Sequence, residues 1–236
     1  MSIFKFKQFD VDQTGCAMKI NTDGVLLGAL ADADCLKSIL DIGTGTGVIA
    51  MMLAQRYTNA TINAVEIDKT ASKTAHHNFN ASKFRERLHL YAQSFEDYFE
   101  LKPDVKYNLI VSNPPFFLNS LLSPGAGKSL AKHTDESFFE RLTDACSKHL
   151  EEGGTAQLIL PVGTAEIVTA YSANVGLILH KRINIRSFSH NEPHRELIIF
   201  GKEQQQVIVE DFVIYESMKV YSAAYQNALK DFFTIF

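Results

Sequence analysis

The feature that most restricts the fold is a regular alternation of apolar and helical segments between residues 38 and 175. Short β-rich runs predict strands at Ser38–Asp41, Thr61–Val65, Leu88–Ala92, Asn108–Val111 and Ala156–Leu160. Helices are predicted between them over 48–56, 70–82, 136–151 and 163–174. Strands that alternate with helices of this length form a parallel sheet covered on both faces.

Beyond residue 175 the pattern changes to consecutive strands, predicted over 177–188, 195–202 and 206–215, followed by a helix over 221–233. Consecutive strands join a sheet in antiparallel fashion. We therefore expect an α/β fold of the doubly wound, Rossmann-like type, mostly parallel with an antiparallel C-terminal edge strand. With no linker long enough to separate domains, residues 1–236 are expected to form one domain.

Composition excludes several classes of protein. A net charge of −4 gives no global basic signature, so any nucleic-acid contact must be local. The three cysteines are odd in number and widely spaced, which argues against a disulfide framework or a metal site. No apolar stretch approaches the ~20 residues of a membrane span, and a cytoplasmic protein is expected.

A glycine-rich loop follows the first predicted strand of the alternating region. Glycines turn the backbone sharply and let a ligand approach closely, and the following helix start offers unpaired N–H groups. The spacing is G-x-G-x-G and not the dinucleotide pattern G-x-G-x-x-G, although NAD binding stays open. The preceding Asp41 suits a zwitterionic or cationic ligand. The loop residues that we expect to contact a ligand are Asp41, Gly43, Thr44, Gly45 and Gly47.

The second predicted strand ends in Glu66-Ile67-Asp68, where a carboxylate is placed to accept hydrogen bonds from ribose hydroxyls. A second glycine-rich stretch, 123–129, ends in Gly-Lys-Ser like a phosphate-binding P-loop. Leu122 occupies the position at which that motif needs glycine, and no strand leads into it. We interpret it as a loop.

Asn113-Pro114-Pro115-Phe116 follows the fourth strand and forms a stiff turn, because each proline fixes its own φ and restricts the residue before it. This sequence is equally compatible with a structural turn that buries Phe116 and with a catalytic turn. Beside a bound methyl donor, however, the Asn113 amide oxygen and the Pro114 carbonyl would accept both hydrogens of a flat amine. Phe116 would stack on the ring that carries the amine.

Asp41, the glycine loop after it and the carboxylate of Glu66 together resemble the S-adenosylmethionine site of class I methyltransferases. The turn Asn113–Phe116 resembles the N-P-P-[FY] motif of those enzymes. Further segments stand in the same order as in the bacterial tRNA1(Val) adenosine-37 N6-methyltransferase family, which the whole chain resembles. These segments are Phe6–Phe9, Cys16–Lys19, Thr22–Gly24, 131–133 and Pro193–Arg195.

The resemblance implies methyl transfer from S-adenosylmethionine to the N6 amine of adenosine in tRNA, with S-adenosylhomocysteine as product and no metal. Its substrate would be the anticodon stem-loop, with the target base flipped out. Residues 1–36 would extend over the cofactor site, residues 205–236 would be an addition, and no membrane or obligate protein partner is implied. The implied catalytic residues are Asn113, Pro114, Pro115 and Phe116.

The implied cofactor residues are Thr22, Asp23, Asp41, Gly43, Thr44, Gly45, Gly47, Glu66, Ile67, Ser94 and Asn113. Ser94 departs from the family, which often has an aspartate there to contact adenine. The implied RNA-binding residues are Lys5, Lys7, Lys19, Lys132, His133, Arg186, His194 and Arg195.

The residues leave other functions open. The same two acceptors, the Asn113 amide oxygen and the Pro114 carbonyl, could also orient the N2 amine of guanine in rRNA or the side-chain amide of a glutamine in a protein. A cofactor- or RNA-binding module without enzymatic activity is a third alternative.

Overall fold

A computed structural model describes residues 2–33, 36–114 and 128–236, with the side chains of 128–136 outside the description. Before the main sheet, the strands β1 (Ile3–Lys5) and β2 (Asp10–Asp12) pair as a hairpin and lead to α1 (Thr22–Leu30). The alternating region contains β3 (Ser38–Ile42), α2 (Val48–Arg56), β4 (Thr61–Val65), α3 (Lys69–Ala81), β5 (Leu88–Tyr91), α4 (Phe95–Leu101), β6 (Tyr107–Ser112), α5 (Lys128–His149), β7 (Leu150–Leu160) and α6 (Val162–Asn174).

The C-terminal third contains β8 (Ile178–Arg186), β9 (Arg195–Gly201), β10 (Ile208–Val213), β11 (Tyr215–Ser217), β12 (Val220–Tyr221) and α7 (Ala223–Leu229). Within the described residues, one eight-stranded sheet has the order β10-β8-β9-β7-β6-β3-β4-β5. The predicted doubly wound, mostly parallel sheet is thus confirmed.

The antiparallel strand is not at the edge of the sheet, contrary to expectation. β9 pairs antiparallel with both β7 and β8 and so lies inside the sheet. The short connection between β8 and β9 allows only an antiparallel pair, and β8 extends the sheet beyond it. The edge strand is β10, which pairs parallel with β8.

The boundaries around α5 also differ from the prediction. The predicted helix bounds of 136–151 are wrong, because α5 already includes residue 128 and ends at His149. Gly153 and Gly154 lie within β7, where its pairing with β6 is irregular. A Cβ at Gly154 would lie 2.9 Å from the Asn108 carbonyl oxygen, so glycine permits close backbone approach there.

α4 was not predicted, although its sequence carries the signals. Ser94 caps it by accepting a hydrogen bond from the Asp97 N–H at 3.0 Å. Phe95, Tyr98 and Phe99 follow at helical spacing and are buried. The helix is short, and it places Ser94 at the edge of the sheet where β5 ends.

Two apolar layers cover the sheet. Because side chains alternate across a strand, Ile39 of β3 packs with α1 and α2, whereas Leu40 and Ile42 pack with α4, α5 and α6. α1 lies close against α2, since a Cβ at Gly28 would lie 2.8 Å from the sulfur of Met52. This packing fixes where the N-terminus of α1 reaches the carboxyl edge of the sheet.

The two ends of the chain pack together. Phe6 forms an isolated β-bridge with Phe233, and the Lys7 N–H donates to the Phe232 carbonyl at 2.7 Å.

In the described part of the chain, no helix is both long and apolar enough to cross a bilayer.

Candidate active site

A cavity of about 410 Å³ opens at the carboxyl ends of β3, β4 and β6. We call it the glycine-loop cavity. Its lining residues come from the glycine loop, from the ends of these strands, from the segment after β5, from the N-terminal segment and from α5. They are Cys16, Ala17, Met18, Ile42, Gly43, Gly45, Val65, Glu66, Ile67, Asp68, Ala71, Gln93, Ser94, Phe95, Glu96, Ser112, Asn113, Pro114, Phe138 and Arg141.

The glycine loop is held in one conformation by its backbone. Gly43, Gly45 and Gly47 all have positive φ, at 73°, 59° and 86°. The N–H groups of Gly43 and Thr44 both donate to the carbonyl of Val65, at 2.9 and 3.1 Å. A Cβ at Gly43 or Gly45 would meet nothing within 4 Å, so the open space of the cavity lies directly over the loop.

Glu66 ties the glycine loop to the start of α3. Its Oε2 accepts a hydrogen bond from the Gly45 N–H and its Oε1 accepts one from the Asp68 N–H, both at 2.8 Å. Each carboxylate oxygen has a further lone pair, so Glu66 can still accept hydrogen bonds from a ligand. Ile67 is 73% exposed beside it and offers an apolar surface to the same ligand.

Asp41 does not line the cavity. It is fully buried on the α2 side of β3, where its Oδ2 accepts a hydrogen bond from the Thr44 hydroxyl at 2.6 Å. Burial raises the pKa of this carboxyl to about 7. Asp41 therefore braces the glycine loop from below, and its predicted contact with a cofactor is not seen among the lining residues.

Asn113 presents an unpaired oxygen at the edge of the cavity. Its Oδ1 is buried and has no hydrogen-bond partner among the described residues. The neighbouring Ser112 hydroxyl donates to the Ile42 carbonyl at 2.9 Å and so anchors the end of β6 to β3. Buried polar atoms are almost always paired in proteins, so an orphaned acceptor here indicates a site for a donor group from a ligand.

The N-terminal segment reaches the cavity because Asn78 holds it there. The Nδ2 of Asn78 donates to the carbonyls of Asp12 and Thr46, both at 2.9 Å, while its Oδ1 accepts from the Asp12 N–H. One side chain thus joins β2, α3 and the glycine loop. Cys16, Ala17 and Met18 follow and form one wall of the cavity.

Besides Asp41, four residues predicted to bind a cofactor do not line the glycine-loop cavity, namely Thr22, Asp23, Thr44 and Gly47. Thr22 lines a different cavity, whose other residues come from both ends of the chain. Asp23 accepts a hydrogen bond from Nε of Arg195 at 2.8 Å and is only 14% exposed. Neither is among the lining residues of the glycine-loop cavity. Gly24, next in the chain, lies close to Asn113, since a Cβ there would be 3.7 Å from the Asn113 Nδ2.

The predicted RNA-binding residues are not equivalent in the structure. Arg195 is paired with Asp23, and Arg186 donates to Asp211 at 2.7 Å. Lys7 donates to the main-chain carbonyls of Lys230 and Phe236, at 2.6 and 2.7 Å. These three cations have structural partners, whereas Lys5, Lys19 and His194 are exposed at the surface.

Four of the sequence-predicted residues cannot be placed in full. Pro115 and Phe116 lie outside the described residues, as does most of the 123–129 stretch. The backbones of Lys132 and His133 belong to α5, but their side chains lie outside the description.

Several lining residues were missed by reasoning from the sequence. Gln93, Phe138 and Arg141 carry no motif that marks them, and they reach the cavity only through the packing of distant segments. Met18 lies in the Cys16–Lys19 segment that resembles the family, but it was not assigned to the site. Arg141 donates to Glu96 at 2.9 Å, so these two lining charges neutralise each other. Glu66 and Asp68 then leave the cavity with an excess of negative charge.

In the described part of the chain, no group of three or more His, Cys, Asp or Glu side chains could hold a metal ion.

Comparisons with known proteins place the chain among methyltransferases. Residues 21–163 match the family model described as "Methyltransferase small domain". A relative from Pedobacter heparinus is 44% identical over 99% of this chain and 98% of its own length. Relatives from Phocaeicola vulgatus and Haemophilus influenzae are 39% and 36% identical, over 98% and 100% of this chain and 97% and 100% of their own lengths. All three are named tRNA1(Val) (adenine(37)-N6)-methyltransferase.

Solved structures with a similar fold are more distant in sequence. A predicted O-methyltransferase from Agrobacterium tumefaciens has a TM-score of 0.65 at 16% identity, covering 89% of this chain and 96% of that one. A methyltransferase from Pyrococcus furiosus has a TM-score of 0.53 at 18% identity, covering 80% and 90%. At such identities the likeness concerns the fold alone.

Proposed function

This chain belongs to the tRNA1(Val) (adenine(37)-N6)-methyltransferase family, and we propose that its glycine-loop cavity binds S-adenosylmethionine for methylation of adenosine N6 in tRNA. The observation that carries the residue-level proposal is the buried Oδ1 of Asn113 at the edge of that cavity, which has no hydrogen-bond partner among the described residues. An acceptor without a partner is suited to a substrate N–H.

The residues of the cavity fit the donor. Its volume of about 410 Å³ is in the range of small-molecule sites. Gly43 and Gly45 leave the space above the loop open. Within the described residues, no side chain caps the N-terminus of α2, which follows the loop directly. Glu66 supplies acceptors for ribose hydroxyls, and Ile67 supplies apolar surface for the adenine. When bound, S-adenosylmethionine supplies an electrophilic methyl group on a positively charged sulfur.

We assign adenine recognition to the segment after β5. The Ser94 hydroxyl oxygen accepts the Asp97 N–H as the cap of α4, but its O–H can still donate. Gln93 lines the cavity beside it and has both amide functions for hydrogen bonding. Together these two side chains would make the contact with adenine that an aspartate at position 94 often makes in the family.

At the end of β6 the chain orients the reacting amine. Asn113 Oδ1 and the Pro114 carbonyl would accept hydrogen bonds from the two N–H groups of adenosine N6. This arrangement would direct the nitrogen lone pair at the methyl carbon. With S-adenosylmethionine bound, this nitrogen would take the methyl group, and the sulfur would keep the electrons of the bond that breaks. One amine proton then passes to water. Orientation and fixed dipoles supply the rate enhancement, without a strong base.

The remaining assignments follow from the same proposal. Phe116 stacks on the flipped adenine, and Pro115 stiffens the turn. Residues 1–36 cover the donor, in accord with Cys16–Met18 along one wall of the cavity. Lys5, Lys19, Lys132, His133 and His194 are proposed to contact the anticodon stem-loop. Residues 1–236 act as one domain in the cytoplasm.

The test is methyl transfer from labelled donor to unmodified tRNA1(Val) transcript, followed by nucleoside analysis. We expect N6-methyladenosine at a single position. Labelling of rRNA guanine or of a protein glutamine, with none in tRNA, would refute the proposal in favour of the alternatives. Donor binding without transfer to any acceptor would favour a binding module.

A further inference from the structure

Asn78 of α3 is a buried amide whose hydrogen bonds all go to other segments of the chain. Its side chain lies in a residue that is only 2% exposed. The Nδ2 donates to the main-chain carbonyls of Asp12 and Thr46, and the Oδ1 accepts a hydrogen bond from the Asp12 N–H, each at 2.9 Å. Because both N–H groups of the amide are used, its orientation is fixed. Asn78 thus forms a junction between the end of β2 and the glycine loop.

On the glycine-loop side of this junction, two consecutive residues of α3 hold two consecutive residues of the loop. Asn78 binds the carbonyl of Thr46, which is itself buried. Phe79 fills the space beside Gly47, where a Cβ would lie 2.4 Å from the ring. A shift of Asn78 would therefore move the loop on which the donor is proposed to lie.

On the other side of the junction, residues 13–20 form a closed loop, which we call the strap. Gln13 closes it, because its carbonyl accepts a hydrogen bond from the Cys16 N–H at 3.4 Å and its Oε1 accepts one from the Ile20 N–H at 2.9 Å. Between these two bonds, residues 16–18 line the glycine-loop cavity. The strap begins directly after β2, so the junction holds its base.

We propose that Asn78 is a positioning residue for donor binding, which keeps the strap closed over the glycine-loop cavity and aligned with the glycine loop. This inference rests on the proposed function for the identity of the donor. Asn78 does not line the cavity, so it acts through the two segments that it joins. The end of β6 is held separately, because the Ser112 hydroxyl donates to the Ile42 carbonyl. Loss of the junction should therefore weaken donor binding and leave Asn113 in place.

Asn78→Asp keeps the size of the side chain but sets a carboxylate oxygen against the two carbonyls that now receive N–H groups. The dissociation constant of the full-length protein for S-adenosylmethionine, by calorimetry, should rise by about tenfold or more. At saturating donor, kcat and the KM for the tRNA1(Val) transcript should stay within about threefold of wild type. Asn80→Asp adds the same charge on the exposed face of α3 and should behave as wild type.

Gly15→Ala tests the strap without changing the core. Gly15 lies within the strap at a φ of +78°, which alanine disfavours, and a Cβ there would meet the Thr70 methyl at an ordinary 3.9 Å. Gly176, in the turn after α6, also has a φ of +78°, and a Cβ there would meet nothing within 4 Å. Gly176→Ala is therefore the matched control. The two alanines carry the same backbone strain, but Gly15→Ala alone should weaken donor binding, by about three- to tenfold.

Hydrogen exchange followed by mass spectrometry separates a positioning role from a structural one. In the wild type, S-adenosylmethionine should slow exchange in the peptide that contains residues 13–20. In Asn78→Asp this peptide should exchange faster and gain less protection from the donor, while β3 and β6 exchange as in the wild type.

Unchanged donor affinity in Gly15→Ala, and in Asn78→Asp where that variant folds, would overturn this inference and leave the proposed function standing. Faster exchange across the whole sheet of Asn78→Asp, with wild-type donor affinity, would show that Asn78 is only structural. If the wild type binds no S-adenosylmethionine, the proposed function fails and the inference with it.

Discussion

Arg195 at the start of β9 donates a hydrogen bond from Nε to Oδ2 of Asp23 in the first turn of α1, over 2.8 Å. Both side chains are mostly shielded from solvent, at 25% and 14% exposure. Because Gly24 follows Asp23 and lies against Asn113, this ion pair sets the position of the helix end that borders the proposed reaction centre.

We predict that Asp23 and Arg195 are energetically coupled. In a double-mutant cycle with Asp23→Asn and Arg195→Gln, the coupling energy should be about 1–2 kcal/mol by urea denaturation, because the pair is shielded from water. The exposed pair Asp144–Lys148 is the control, at 45% and 66% exposure, and should give ~0.3–0.5 kcal/mol. Equal coupling in the two pairs would show that Asp23–Arg195 is only a surface contact.

Asn113→Ala should lower kcat/KM by about 10²–10³-fold, because it removes a preorganised acceptor for the amine. Donor affinity by calorimetry should stay within about threefold, since Glu66 and the glycine loop supply most of that binding. Asn113→Asp keeps an acceptor oxygen and should retain measurable activity. Asn80→Ala, an exposed asparagine on α3, should behave as wild type. A parallel loss of donor binding and activity in Asn113→Ala would indicate a structural role for the turn.

Glu66→Gln should weaken donor binding by about ten- to a hundredfold, since it removes charge-assisted hydrogen bonds. It should also lower the free energy of unfolding by ~1–3 kcal/mol, because one of the two N–H groups that Glu66 now satisfies would face an amide NH₂. Calorimetry and urea denaturation measure the two effects. Glu86→Gln, exposed just before β5, serves as the control for charge. Unchanged donor affinity would remove Glu66 from the ribose site.

Gly47→Ala should destabilise the protein by about 2–4 kcal/mol. Its φ is +86°, and a Cβ would lie 2.4 Å from a ring carbon of Phe79, which is itself buried in the core. Gly153 has a similar φ of +74° but faces open space, so Gly153→Ala isolates the backbone strain, about 1 kcal/mol. Similar losses in the two variants would mean that the ring contact contributes nothing.

Asp41 should make stability dependent on pH. Burial raises its pKa in the folded protein from the ordinary value of 3.8 to about 7, so the folded state holds this proton where the unfolded state has lost it. The contribution of Asp41 to the free energy of unfolding is therefore largest below pH 3.8 and is lost as pH rises to about 7.

Asp41→Asn removes that proton equilibrium. The stability of wild type relative to Asp41→Asn should fall between pH 4 and pH 7, as measured by urea denaturation at each pH. A constant difference across this range would show that the carboxyl titrates normally.

The sequence by itself determined the class of fold and the family. Alternating strand and helix patterns specify a parallel sheet, because each pattern buries one face of its own element. Positive-φ glycines, the carboxylate after β4 and the Asn-Pro-Pro turn are local features, and their positions in the chain place them at the carboxyl edge without further information. The start of α5 and the position of β9 within the sheet needed the structure, because they depend on how distant segments pack and pair. The helix α4 was missed although its cap and its apolar spacing are local signals.

The tertiary structure alone decided which neighbours each side chain has. It turned Asp41 away from the cavity and under the glycine loop, and it paired Asp23 with Arg195 across most of the chain. It also brought the two chain ends together, where Phe6 forms a β-bridge with Phe233. No local pattern marks such contacts, since they depend on the relative placement of segments far apart in sequence, which only the packing of the folded chain determines.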